Sequence, residues 1–134
     1  MQYKTKELTV TVRPDTIIEI TTNPEISEYT IQGAEENVAL MRKIVDKKPR
    51  SVMVWMPSAY MKKEIIKYYN EFEEDNVATA LLTESFASKL IGNLFLTLRT
   101  RLVPNQKTKT NPIKIFKDPN EATEWLLEHL AKYQ

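Results

Sequence analysis

The stretch from Asn76 to Leu98, NVATALLTESFASKLIGNLFLTL, constrains the fold of this chain more than any other. Val77 to Leu82 is a short apolar run of the kind found in a strand covered on both faces. Thr83, Glu84 and Ser85 stop that run, and the hydroxyl of Thr83 or Ser85 is suited to accept from the first amides of a following helix. Phe86, Leu90, Ile91, Leu94, Phe95 and Leu98 then recur at helical spacing as one apolar stripe, which is expected to face the core. A β-turn-α unit of this form belongs to an α/β fold.

Composition narrows the classes that remain. A chain of 134 residues fits a single domain spanning 1–134, able to bury roughly two-thirds of its unfolded surface. The net charge of +1 gives no reason to expect nucleic acid as a partner. There is no cysteine, which excludes disulfides, thiolate chemistry and a zinc-thiolate site. No window approaches the roughly 18 uncharged apolar residues of a spanning helix, and the first residues lack the apolar core of a signal peptide. A cytoplasmic location is the expectation.

Leu8, Val10 and Val12 alternate with Thr9 and Thr11, the period of a half-buried strand. Arg13-Pro14-Asp15-Thr16 turns the chain, and Ile17 to Thr21 returns as a second strand, stopped by Asn23-Pro24. A first helix begins between Ile31 and Ala34 and ends near Lys47-Lys48-Pro49, with Ala34, Val38, Met41, Ile44 and Val45 on its core face. Ser51 to Trp55 is a third strand. Pro57-Ser58 opens a second helix with Met61, Ile65, Tyr68 and Phe72 inward, closed by the acidic run Glu71 to Asp75. After the central unit, Thr100 to Asn111 reads as a long irregular segment. Arg99, Arg101, Lys107, Lys109, Lys114 and Lys117 lie in or beside it, with no acid between Glu84 and Asp118. Ile113 to Phe116 is the fifth strand. The last helix has the clearest start: Asp118 as N-cap, Pro119 in its first position, Glu121 three residues after the cap, then Ala122, Trp125, Leu126, Leu130 and Tyr133 inward.

The alternation predicts a mixed five-stranded sheet, an N-terminal antiparallel hairpin followed by parallel β/α units, with four helices mainly on one face. Ala78 and Ala80, with Thr9, Thr11 and Glu19, suggest a thinly covered sheet face that a second copy could meet as a homodimer.

The run VATALLTESFASKLIGNLF, followed by IKIFKDPNEATEWL, resembles the STAS-like, anti-sigma-factor-antagonist-like group, and within it the small bacterial STAS/SEC14-like domain proteins. The resemblance covers about Thr9 to Leu130 and rests on Ser88-Lys89-Leu90-Ile91-Gly92-Asn93 and Glu121-Ala122 with Trp125-Leu126. It implies sequential strands, no cofactor, no enzymatic chemistry, and a regulatory or protein-binding role. It also implies a phosphorylation switch at the start of the helix after the third strand, which by position is Ser58. The sequence there, Trp55-Met56-Pro57-Ser58-Ala59-Tyr60, departs from the family's acidic residue, hydroxyl pair and glycine, so loss of the switch is expected and Ser58 reads as an N-cap.

Ligands of open parallel sheets bind beyond the carboxyl ends of the strands. Those ends deliver Ser58, Tyr60, Lys62 and Lys63 after the third strand, and Thr83, Ser85, Ser88 and Lys89 after the fourth. Hydroxyls, helix-end amides and lysines suit an anionic group or an acidic partner side chain; capping alone accounts for the same hydroxyls. His129, the sole histidine, has no neighbouring nucleophile in the sequence pattern and reads as a partly buried residue of the last helix. With only Gly33 and Gly92 there is no phosphate-binding glycine loop, and Gly92 within a helix suggests close packing against a strand. The sequence therefore points to a non-enzymatic interaction module. A carrier of a lipid or other apolar small molecule beneath the 99–112 loop is the alternative.

Overall fold

The computed structural model describes residues 1–46, 48–57, 61–71, 76–102 and 112–132, with the backbone alone for residues 70, 71, 76 and 98–102. The chain runs β1 (Gln2–Lys4), β2 (Leu8–Val12), β3 (Ile18–Thr22), α1 (Ile31–Val45), β4 (Arg50–Trp55), α2 (Lys63–Glu71), β5 (Asn76–Leu82), α3 (Phe86–Leu102), β6 (Ile113–Phe116) and α4 (Pro119–Ala131). One six-stranded sheet results, its strands side by side in sequence order. β1 to β3 pair antiparallel, and β3 to β6 pair parallel. The sequence reading has five strands, so β1 is an addition. Gln2-Tyr3-Lys4 shows no apolar alternation because it is an edge strand with only Tyr3 half-buried, fixed by pairing Gln2 with Thr11 and Lys4 with Thr9.

Sequential order decides where the helices lie. Each parallel step from β3 to β6 moves one strand onward in the same direction, so right-handed crossovers place α1, α2 and α3 on one face. There Val52 of β4 packs with Val10, Ile18 and Ile20 against Met41 and Val45 of α1. Ile65 of α2 meets Tyr29 and Ala34. α4 follows the last strand and is bound by no crossover. It takes the other face, where Ala122, Leu126 and Leu130 cover Met53, Ala78, Ala80, Leu82 and Phe116, and the Ser51 hydroxyl donates to the Leu126 carbonyl.

This arrangement revises the thinly covered face. Ala78 and Ala80 are fully buried under α4, and their small size lets the helix approach; they are not a surface for a second copy. The antiparallel part of that face keeps Thr9, Thr11 and Glu19 half-buried, with Glu19 accepting from the Trp55 indole at 2.6 Å and lying 3.8 Å from the Arg13 guanidinium.

The helix ends follow local chemistry. Thr30 caps α1, its hydroxyl accepting from the Gly33 amide, and Asp46 ends the helix in the left-handed region at φ 46°. Asp118 caps α4 by accepting from the Asn120 amide, with Pro119 next, as the sequence predicts. α2 begins at Lys63, and residues 58–60 after the third sequence-predicted strand lie outside the described residues. In α2, Ile65 is buried and Tyr68 half-buried, as is Met61 just before the helix; Ile66, fully buried, was not expected, and residues 72–75 lie outside the described residues. The same holds for Tyr133.

The largest departure is α3. Its expected core stripe is split: Phe86, 78% exposed, Leu90, 54%, and Leu94, 41%, face outward, while Ile91 and Phe95 stay on the buried side and the Leu98 side chain lies outside the described residues. The buried side carries small residues, Ser88 and Gly92, with Ile91 and Phe95 half-buried beside them. Both stripes have helical period, so periodicity alone does not choose between them. Steric room does. A Cβ on Gly92 would lie 3.6 Å from the side-chain tips of Ile115 of β6 and of Thr83, so those side chains already fill the space beneath the helix there. Large side chains on that side would hold it away.

Candidate functional site

The sequence-predicted site lies beyond the carboxyl ends of β4 and β5. Thr83 is buried, and its hydroxyl donates to the Phe116 carbonyl at 3.5 Å while its amide donates to the same oxygen at 3.0 Å, tying β5 to β6. Ser85 and Ser88 form a reciprocal cap. The Ser85 hydroxyl accepts from the Ser88 amide at 3.1 Å, and the Ser88 hydroxyl oxygen accepts from the amides of Glu84 at 3.1 Å and Ser85 at 2.9 Å. With Ser88 only 1% exposed, its hydroxyl serves the chain's own amides and does not face solvent. Lys89 follows on the exposed side of the first turn. Lys62 and Lys63 are exposed at the start of α2, and the Lys62 ammonium lies 3.9 Å from the Glu28 carboxylate. Ser58 and Tyr60 lie outside the described residues, as do residues 103–111, while residues 99–102, expected to be irregular, continue α3. The structure thus brings Thr83, Ser85 and Ser88 together as a strand-to-helix corner.

A polar cluster that sequence reading missed lies on the α1 side. Glu7, 2% exposed, accepts through one oxygen from the Thr30 amide at 2.9 Å and the Thr30 hydroxyl at 3.2 Å, and through the other from Asn37 at 3.3 Å. The same Asn37 amide donates to the Tyr69 hydroxyl at 2.9 Å, linking α1 to α2. Tyr29 pairs its hydroxyl with Thr22. Burial pushes the Tyr29 and Tyr69 phenols up to about 12, with the nearby Glu7 carboxylate adding to the effect. Glu7 sits at the N-terminus of α1, where the helix dipole and first amides favour a carboxylate. Gly33 is required beside it: a Cβ there would lie 2.2 Å from the Glu7 carboxylate. The only sequence signal was a glycine three residues past a threonine, which reads as ordinary capping. The cluster joins the 5–7 turn to both helices, and every polar contact in it is internal.

His129 is half-buried on α4, its ring edge-on to Trp125 at 4.7 Å, and Trp125 in turn packs on Phe116 at 5.4 Å. Among the described residues, no group of three His, Cys, Asp or Glu side chains is placed to hold a metal ion, and no helix is long and apolar enough to cross a membrane.

Among the described residues, exposed large apolar side chains gather on the outer face of α3. Phe86, Leu90 and Leu94 form a ridge at four-residue spacing, flanked by exposed Lys89, Asn93 and Thr97. Contiguous large apolar side chains at such exposure mark binding surfaces on soluble domains.

Fold and site together define a mixed α/β domain with a sequentially ordered sheet and an outward apolar helix face. The chain belongs to the family described as Domain of unknown function (DUF7793), whose family model matches residues 10–130. No curated protein and no solved structure matches the chain.

Proposed function

We propose that this domain is a non-enzymatic regulatory module of STAS-like type that works by docking a protein partner on the outer face of α3. The observation that carries the reading is the exposure of Phe86, Leu90 and Leu94 on one side of a helix whose inward side is built from Ser88 and Gly92. A chain that needed only a stable core would place those large side chains against the sheet, where each would contribute roughly 1.5–3 kcal/mol. The capping role of Ser85 and Ser88 and the edge-on packing of His129 against Trp125 support a binding role over a catalytic one, since both types of side chain are held in structural contacts. Support for the STAS-like assignment comes from the sequential strand order and from crossover helices gathered on one face.

The test is photo-crosslinking in cells with p-benzoylphenylalanine in place of Leu90, against a control in place of the exposed Glu124 on α4. Protein adducts specific to the Leu90 position are expected. Their absence, or equal adducts at both positions, would overturn the docking role.

A further inference from the structure

Among the described residues, each buried side-chain nitrogen or oxygen has a hydrogen-bond partner except one, the Nε of Arg50. Arg50 is the first residue of β4 and is half-buried, and none of the ion pairs among the described residues involves it. Arg13, also half-buried, is treated differently: its guanidinium lies 2.7 Å from Asp15, 3.5 Å from the Thr123 hydroxyl and 3.8 Å from Glu19. A buried N–H of a charged group is costly when it lacks an acceptor. Such a group marks the place of an acceptor supplied from outside the fold.

Local structure explains why the nearest helix end supplies none. By strand alternation Arg50 shares the α1 side of the sheet with Val52, which packs with Val45 in the last turn of α1. The carbonyls at that end are already engaged. The Arg42 carbonyl accepts from the Asp46 amide at 3.1 Å, and the Val45 carbonyl accepts from the Lys48 amide at 2.9 Å. Charge gives the class of the missing acceptor. From residue 42 to residue 50 the sequence carries Arg42, Lys43, Lys47, Lys48 and Arg50 against a single acid, Asp46. Lys43 and Lys48 are exposed. A phosphate dianion offsets that excess more fully than one carboxylate does, and its oxygens match the paired N–H donors of a guanidinium.

We propose that Arg50 anchors a phosphate-binding site at the amino end of β4, with Lys43 and Lys48 adding positive charge, for a small soluble molecule that carries a phosphate group. The site lies at the end of the sheet opposite to Thr83, Ser85 and Ser88, and it stands or falls independently of the α3 face.

The test uses the purified full chain. The Nε–Hε signal of Arg50, assigned by its loss in Arg50→Lys, is followed by nuclear magnetic resonance as inorganic phosphate replaces chloride at constant ionic strength. A saturable shift is expected there, larger than at the Nε–Hε signal of Arg13. Arg50→Lys keeps the charge and loses the fork, so it should weaken phosphate binding by about tenfold, read on the backbone amides of residues 48–52. Thermal unfolding separates an external acceptor from an internal one. Arg50→Met keeps the apolar stem and removes the unpaired donor, so without phosphate it should unfold at the wild-type temperature or above. Phosphate should raise the wild-type unfolding temperature by more than that of Arg50→Met, which carries only the general salt effect. A lower unfolding temperature for Arg50→Met would show that Arg50 is paired within the chain and would overturn the site. So would an Arg50 signal that moves no more than that of Arg13. Binding to phosphatidic acid vesicles with no response to inorganic phosphate would overturn the soluble ligand.

Discussion

Gly33 and Gly92 both lie in helices, yet they respond to a methyl group in opposite directions. At Gly33 the added carbon would meet the Glu7 carboxylate at 2.2 Å, and that carboxylate is buried and held by Thr30 and Asn37. Gly33→Ala should therefore lose about 1–3 kcal/mol in urea denaturation, the usual range for overpacking a satisfied site. In a Glu7→Ala background the same substitution should cost much less; equal cost in both backgrounds would refute the steric account. At Gly92 the nearest atoms stand at 3.6 Å, an ordinary contact, so Gly92→Ala should raise stability by roughly 0.5–1 kcal/mol through lower backbone entropy in the unfolded chain. The close-packing reason expected for Gly92 is thus only half right: the helix is near the strand, but a methyl fits. Titration adds a third outcome at this scale. The phenols of Tyr29 and Tyr69 are raised to about 12, against about 10 in the unfolded chain. Below pH 10 they are neutral in both states and the stability they contribute is intact. As pH rises from about 10 through about 12 the unfolded state ionises first, and stability falls. Urea midpoints measured across that window should drop, and the Tyr29→Phe/Tyr69→Phe variant should drop less; identical profiles would contradict the assignment.

At the scale of elements, the strands and α4 were legible because one pattern served one purpose in each. Val10 alternates with threonines since one side of β2 is buried, and Asp118-Pro119 marks a helix start wherever it occurs. β1 was not legible, because three edge residues held by backbone pairing leave no apolar pattern. α3 was legible as a helix but not in its orientation. It carries two candidate faces, and the choice depends on how near β5 and β6 lie, which the sequence of the helix does not state. The consequence is measurable. Leu94→Ala, read from sequence as removal of a core side chain, should cost about 1 kcal/mol in the monomer, because the residue is 41% exposed and loses only part of its contacts. Leu126→Ala on α4, fully buried, should cost about 2–5 kcal/mol. Similar losses at the two positions would return α3's ridge to the core. The candidate site was legible only as residue types. Thr83, Ser85 and Ser88 do converge at a strand-to-helix corner, but hydroxyls that cap and hydroxyls that bind a ligand look alike in sequence.

For the whole molecule, sequential strand order has a single consequence that organises the rest. Three crossovers on one face put α3 over the last parallel strands with one side against the sheet, and α4 closes the other face beneath Ala78 and Ala80. Among the described residues, most of the large hydrophobic side chains left outside that packing are on α3, in a stretch without an acid from residue 85 to residue 117. Docking through that helix is the central claim, and side-chain footprinting by hydroxyl radicals measures it most directly. In dilute purified protein Phe86, Leu90 and Leu94 should oxidise readily while Leu126 does not, and in cells the three ridge residues should become protected with Leu126 unchanged. Ridge residues that react equally in both settings would contradict the claim.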